Sequence, residues 1–154
     1  MKVEEMWKEY RKINPSANHY EAWEYGSDNP DLLAELTLKG IKTSTAGLYR
    51  LYEVENESLP LVDDYNVIYD SKGQAVCVTQ TKKVTLKPFR EVEADHAYKE
   101  GEGDRSLAYW RKVHQEVFTK ELKEEINEEF SEDMVVVLEE FKVVYPLAAG
   151  SCSE

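Results

Sequence analysis

The run Leu38-Lys39-Gly40-Ile41-Lys42-Thr43-Ser44-Thr45 sets one lysine and three hydroxyls directly after a helix-stopping glycine. A lysine three residues before a threonine, at a helix-to-strand junction, can bring an amine beside an alcohol. A threonine hydroxyl becomes a nucleophile only when a base takes its proton, and a desolvated, neutral lysine amine is one such base. A second run, Glu100-Gly101-Glu102-Gly103-Asp104-Arg105-Ser106-Leu107, separates three carboxylates by single glycines just before an amphipathic segment. A carboxylate beside Lys42 favours the ammonium instead; the lysine then stabilises an oxyanion while Glu100, or Glu102 in its place, handles protons. Both assignments stand open at this level. On a straight strand, positions three apart face opposite ways, so convergence of Lys42 and Thr45 requires a turn or bulge, for which the Gly40 junction is the natural place. As polar groups poised for chemistry, Lys42 and Thr45 are expected to add little to packing, and alanine at either to leave stability nearly unchanged.

Other chemistries fit less well. An EF-hand beginning at Glu100 needs glycine where Arg105 stands and glutamate where Arg111 stands. His19, His96 and His114 have no ligand-like spacing, and His114, four residues after Trp110, reads as a core histidine. No metal and no cofactor are assigned. There is no Walker loop, no GxGxxG and no GxSxG, which disfavours nucleoside-triphosphate, dinucleotide and serine-hydrolase chemistry.

The elements that must position these groups follow from periodicity. Val3, Met6, Trp7, Tyr10 and Ile13 recur at helical spacing and predict an amphipathic helix ending near Asn14-Pro15, its aromatic stripe in the core. After an aromatic stretch from Tyr20 to Gly26, Asn29-Pro30-Asp31 is a helix start, with Leu32, Leu33 and Leu36 as its buried face and Gly40 as its left-handed stop. Strands are expected over Leu48 to Val54, Tyr65 to Tyr69 and Ala75 to Thr81 running on toward Leu86, with a turn at Asp70-Ser71-Lys72-Gly73 and a polar loop from Glu55 to Asp64. Pro88-Phe89 ends that run. A short helix over Val92 to Lys99 and a stronger one from Ser106, with Leu107, Trp110, Val113, Val117 and Phe118 on one face, precede a β-branched strand from Met134 to Tyr145.

A chain of 154 residues with 42% hydrophobic content forms one domain with one core, here residues 1–147 including the N-terminal helix, followed by a loose tail over 148–154. No segment approaches the ~18 apolar residues of a membrane helix, and the mixed-charge N-terminus is unlike a signal peptide. Cys77 in an alternating apolar run and Cys152 in a small-residue tail suggest neither a disulfide framework nor a metal pair, so a reducing cytoplasm is expected. The formal charge of -12 disfavours long-range steering of a polyanion. Even so, Ser71 to Arg90 holds five bases and no acid, while Glu116 to Asp133 holds eight acids and two bases.

At Gly40-Ile41-Lys42-Thr43-Ser44-Thr45, which has the form GxKxxT, the chain resembles the ASCH (activating signal cointegrator homology) family, similar in fold to PUA RNA-binding domains. Pro88-Phe89, the run Glu100 to Leu107 with Tyr109-Trp110-Arg111 and His114, Tyr20 to Gly26 and Glu140-Phe141 carry the same resemblance, in the longer bacterial subgroup, over roughly residues 5 to 145. The resemblance implies an α+β fold, a small PUA-like β-barrel of five or six strands flanked by helices, with a cleft where Lys42 and Thr45 face Glu100. Small ASCH amidohydrolases acting on N4-acetylcytidine use a lysine, a threonine three residues later and a glutamate, which carry over to Lys42, Thr45 and Glu100. Substrate contacts are expected from Gly40, Ser44, Glu102, Asp104 and Arg105, with Trp23, Tyr25 and Trp110 as a stacking wall, core packing being the alternative role for at least two of these three. The leading expectation is therefore a hydrolase of an acylated pyrimidine nucleoside, whose partner is a small nucleoside or modified base. The alternative is an RNA-binding module or weak ribonuclease, with Lys82, Lys83, Lys87 and Arg90 meeting phosphates. Oligomeric state is left open.

Overall fold

The computed structural model describes residues 1–26 and 29–147; the expected tail at 148–154 and Cys152 lie outside the described residues. Five strands, β1 (Glu21–Trp23), β2 (Ser44–Leu48), β3 (Tyr65–Tyr69), β4 (Ala75–Pro88) and β5 (Val135–Tyr145), form one mixed sheet in the order β1-β3-β4-β5-β2. Only β1 and β3 run parallel; the other pairs are antiparallel. The sheet curls into a half-barrel whose two edges are β1 and β2.

Helices close both faces. In α1 (Val3–Ile13), Met6, Trp7 and Tyr10 are buried against Val67 of β3 and Val78 of β4, as the helical spacing requires. In α2 (Pro30–Leu38) the Asn29 side chain accepts from the Leu32 amide, Pro30 occupies the first helical position and Gly40 takes φ +76° past the end. The buried face of α2 is Leu33, Ala34 and Thr37, whereas Leu32 is 47% exposed. Thr37 sets that orientation: its hydroxyl donates to the Leu33 carbonyl and lies 2.7 Å from the Tyr25 hydroxyl, so Thr37 faces inward and Leu32 is turned out.

The expected strand over Leu48 to Val54 is instead the helix α3 (Tyr49–Glu55), and the strand lies earlier, at Ser44–Leu48. The physical reason is the partner. Leu48 stands opposite Val136, one residue from the start of β5, so a longer β2 would have nothing to pair with. Leu48 and Leu51, three apart, then enter the same core, and Asn56 ends the turn in the left-handed conformation. The aromatic stretch after Tyr20 contributes the edge strand β1, which periodicity did not reveal.

A short 3-10 turn, Phe89–Glu91, ends β4, and α4 (Ala94–Glu100) and α5 (Leu107–Ile126) cover β5 and β2. Leu48, Phe89, Trp110, Phe118, Leu122, Val136 and Leu138 make the largest core cluster. Strand alternation decides what remains for the other face. Leu48, Val136 and Leu138 point into that core, leaving Thr45, Gly47, Val137 and Glu139 on the inner face of the half-barrel. Among the described residues no helix is long and apolar enough to cross a membrane.

Candidate functional site: a cleft between the edge strands and the ion network beside it

Lys42 and Glu100 meet in the interior, at 1% exposure each. The segment before β2 is bound to the end of α4: the Thr43 amide donates to the Lys99 carbonyl at 2.7 Å, and Gly101, at φ +70°, lies so close to Ile41 that an added Cβ would sit 2.6 Å from its carbonyl oxygen. Only glycine fits there. Lys42 Nζ donates to Glu100 Oε1 at 3.2 Å, to the Glu100 carbonyl at 3.4 Å and to Glu102 Oε2 at 2.8 Å, three acceptors for the three protons of an ammonium.

Glu100 is a hub. Oε2 accepts from Trp110 Nε1 and His96 Nε2, both at 2.6 Å, while Oε1 faces Lys42 and, at 3.3 Å, His114 Nε2. Four donors fill the roughly four lone-pair sites of a carboxylate. The other nitrogen of His114, Nδ1, lies 2.9 Å from the Trp110 carbonyl, so both ring nitrogens face groups that only accept, an arrangement that favours the protonated ring. Burial works against its charge, but the Glu100 carboxylate and the Trp110 carbonyl raise its pKa above the ordinary 6.5. Burial likewise works against ionised Glu100, yet Lys42, His114 and the hydrogen bonds from His114 and His96 hold its carboxyl well below the ordinary value. A saturated carboxylate of lowered pKa is a poor proton acceptor. Of the two roles open for Glu100, base or counter-ion, this geometry supports the counter-ion.

The cleft lies between the sheet edges. It encloses about 590 Å³ and is walled by residues 21–26 on one side, Thr45 and Gly47 of β2 on the other, and Tyr52 and the 57–60 loop at the rim. Trp23 and Tyr25 meet edge to face at 4.9 Å, and Trp23 Nε1 donates to Asn66 Oδ1 at 2.9 Å, which fixes the aromatic wall. Tyr25 belongs to both places: it lines the cleft, and its ring centre is 5.4 Å from Lys42 Nζ, within cation–π range. Burial foremost pushes its hydroxyl far above the ordinary value.

Across the inner face stands Glu139, directly opposite Thr45 in the β2–β5 ladder. It is 8% exposed, and its Oε2 accepts from the Thr81 hydroxyl at 2.5 Å. A register shift between Thr81 and Lys83 locally disrupts the β4–β5 pairing beside Thr81, as a β-bulge does. Burial pushes the Glu139 carboxyl up, the Thr81 bond opposes this, and the charge of Asp64 adds to the rise. Tyr52, at the rim, is pushed up to about 12 by burial and then by Glu139 and Glu57.

The anticipated residues thus divide between two places. Thr45, Trp23 and Tyr25 line the cleft, whereas Lys42, Glu100 and Glu102 form the network beside it and are not among its walls. Strand parity persists through the Gly40 junction: Ser44 turns its hydroxyl to the His96 carbonyl on the helix side, and Thr45 faces inward. Trp110 is in the core, stacked on His114 at 4.3 Å. Asp104 accepts from the amide of Ser106, which itself caps α5 by accepting from the Tyr109 amide; Arg105 lies over the Tyr98 ring and donates to the Tyr98 and Ile41 carbonyls, and Gly40 serves the turn. Lys42 is 1% exposed and bonded to Glu100 and Glu102, so alanine there removes buried contacts that the sequence did not reveal. Sequence reasoning missed Glu139. The available signal was two successive acids, Glu139-Glu140, inside a β-branched strand, where alternation must turn one inward; Glu140 is the outer one, paired with Lys99 at 3.0 Å. The i,i+4 spacings of His96 with Glu100 and Trp110 with His114 were the readable trace of the network.

Among curated proteins none matches this sequence. Solved structures do. The crystal structure of an ASCH domain from Lactobacillus crispatus JV V101 superposes with a TM-score of 0.85 at 30% identity, over 92% of each chain. That of protein EF3133 from Enterococcus faecalis V583 gives 0.83 at 29% identity, over 92% of this chain and 87% of that one. The half-barrel is therefore the PUA-like α+β fold. Residues 21–145 match the ASCH domain family, which spans both the cleft and the Lys42–Glu100 network, and the chain belongs to that family.

Proposed function

We propose that this protein is a cytoplasmic hydrolase that removes an acyl group from a modified pyrimidine nucleoside, an N4-acetylcytidine-like amide, bound in the cleft between β1 and β2. ASCH domains share a PUA-like fold often linked to RNA binding, so a nucleic-acid component is the natural ligand class. The lining of the cleft carries the choice of a nucleoside over a strand. Its walls include Glu21, Glu24, Glu57, Asp64 and Glu139 and no lysine or arginine. Such a site repels phosphates and accepts N–H groups, and its volume suits one small molecule. On the outer surface Lys83 pairs with Glu140, Lys87 with Glu93 and Arg90 with Asp133, which weakens the basic run as a phosphate track.

In this reading Thr45 offers its hydroxyl to the amide carbonyl, and Trp23 and Tyr25 supply apolar ring surface to the base. Lys42 and Glu100 are positioning residues that hold Tyr25 and the start of β2. The test is incubation with N4-acetylcytidine and chromatography for cytidine and acetate, beside filter binding of short single-stranded RNA across a salt series. Turnover with weak salt dependence supports the proposal. Tight RNA binding with a steep salt slope, flattened by neutralising Lys82, Lys83 and Lys87, and no turnover, establishes the RNA-binding alternative in its place.

A further inference from the structure

The geometry points to Glu139 as the catalytic carboxyl of this cleft, taking the proton from Thr45 and returning it to the leaving group, an assignment that rests on the hydrolase reading above. Three independent observations converge on it. Thr45 and Glu139 are directly opposed in an antiparallel ladder, which places their Cβ atoms roughly 4.5–5.5 Å apart on one face. Both line the same cleft. Thr81 holds one carboxylate oxygen at 2.5 Å, which orients the group as a third residue orients the base in nucleophilic sites generally. Glu100, with four donors around it, has no such capacity to spare.

Ionised Glu139 takes the Thr45 hydroxyl proton as the Thr45 oxygen bonds to the acyl carbon of the amide. The tetrahedral intermediate collapses, the bond from the acyl carbon to N4 breaks, and Glu139 returns the proton to N4, releasing cytidine and leaving an ester on Thr45. Water then attacks the ester, its proton passing through Glu139 to the Thr45 oxygen, and acetic acid leaves. No redox partner is needed.

Other titratable groups around Glu139 are Asp64 and Glu57 from the loop before β3, Tyr52 from α3, and Glu21 and Glu24 across the cleft. Burial foremost raises the Glu139 pKa, the Thr81 bond lowers it and the Asp64 charge adds to the rise, so the acid limb of the rate profile lies above the ordinary carboxyl value of 4.5 and is tunable from Thr81. The experiment measures kcat and kcat/KM on N4-acetylcytidine from acid to neutral pH for the wild type, Glu139→Gln and Thr81→Val, with melting curves for each. Expected are a loss of about 10²–10⁴-fold in kcat for Glu139→Gln with KM little changed, and an acid limb displaced to higher pH in Thr81→Val. Wild-type turnover with Glu139→Gln retaining the wild-type rate and profile overturns the assignment alone. Should Glu139→Gln fail to fold, an unmoved acid limb in Thr81→Val overturns it equally. No turnover by the wild type on this probe overturns the assignment together with the hydrolase reading.

Discussion

Glu100 and Glu139 are buried glutamates driven in opposite directions by their neighbours. Around Glu100 stand four donors, from Lys42, His114, His96 and Trp110; around Glu139 stand a hydroxyl and a second carboxylate. Removing the charge of Glu100 leaves Lys42 with Glu102 alone and His114 with no counter-ion, so Glu100→Gln is expected to destabilise by about 3–5 kcal/mol, read as the shift of the urea midpoint at neutral pH. A loss under about 1 kcal/mol is what water reaching the network would produce. Glu139 behaves oppositely. Its folded pKa is raised, so its contribution to stability is fully present below the ordinary 4.5 and is lost as pH rises through the folded value. Glu139→Gln, which mimics the protonated form, should therefore melt above the wild type at neutral pH and match it in acid. Equal melting at both pH values would mean that ionised Glu139 is well solvated.

At the scale of elements, what local chemistry decides was legible and what a distant partner decides was not. Asn29-Pro30-Asp31 announces α2 because capping needs only neighbours, and Asp70 likewise builds its turn by accepting from the Lys72 and Gln74 amides. The strand at Tyr65 to Tyr69 is where alternation puts it. By contrast, β1 is three residues long and exists through β3, and α3 is a helix because β5 begins too late to pair with it. The site follows the same rule: the Lys42–Glu100 meeting is written in local motifs, whereas the Thr45–Glu139 pairing exists only in the ladder. The role of α1 is a further case, since it precedes the residues matched to the family yet covers Val67 and Val78, both at 0% exposure. Burying an apolar side chain contributes about 1.5–3 kcal/mol, so losing Met6, Trp7 and Tyr10 together removes several kcal/mol from a net stability of about 5–15. A chain starting at Ala17 is expected to be poorly soluble or to melt far below the full chain in circular dichroism. An unchanged melt would make α1 dispensable.

For the whole molecule, a formal charge of -12 makes self-repulsion the dominant electrostatic condition. The groups that burial raises act in the same direction, whereas hydrogen bonds from Ser71, Ser106 and Arg50 hold the Asp31, Asp104 and Glu128 carboxyls below their ordinary values. The carboxyls of Glu121, Glu125 and Glu139 are raised, in each case by burial first and by neighbouring carboxylates after it, so all three favour the folded state below the ordinary 4.5 and lose that contribution as pH rises. His114, raised above 6.5, contributes below that value and loses its contribution at higher pH. Glu100 has the reverse sign: its contribution is present above 4.5 and is lost as pH falls toward its own lowered value. Stability is therefore expected to rise as pH is lowered from about 8 to about 5, then to fall steeply in acid as the network around Glu100 protonates. Melting temperature measured from about pH 3 to pH 9 should peak on the acidic side of neutrality, and added salt should raise it at pH 8 more than at pH 5, where less repulsion is left to screen. In Glu100→Gln the steep acid limb should flatten, since the group that creates it is gone. A maximum near pH 8 that salt does not move would mean that the network, and not the repulsion of the acidic surface, governs the whole profile.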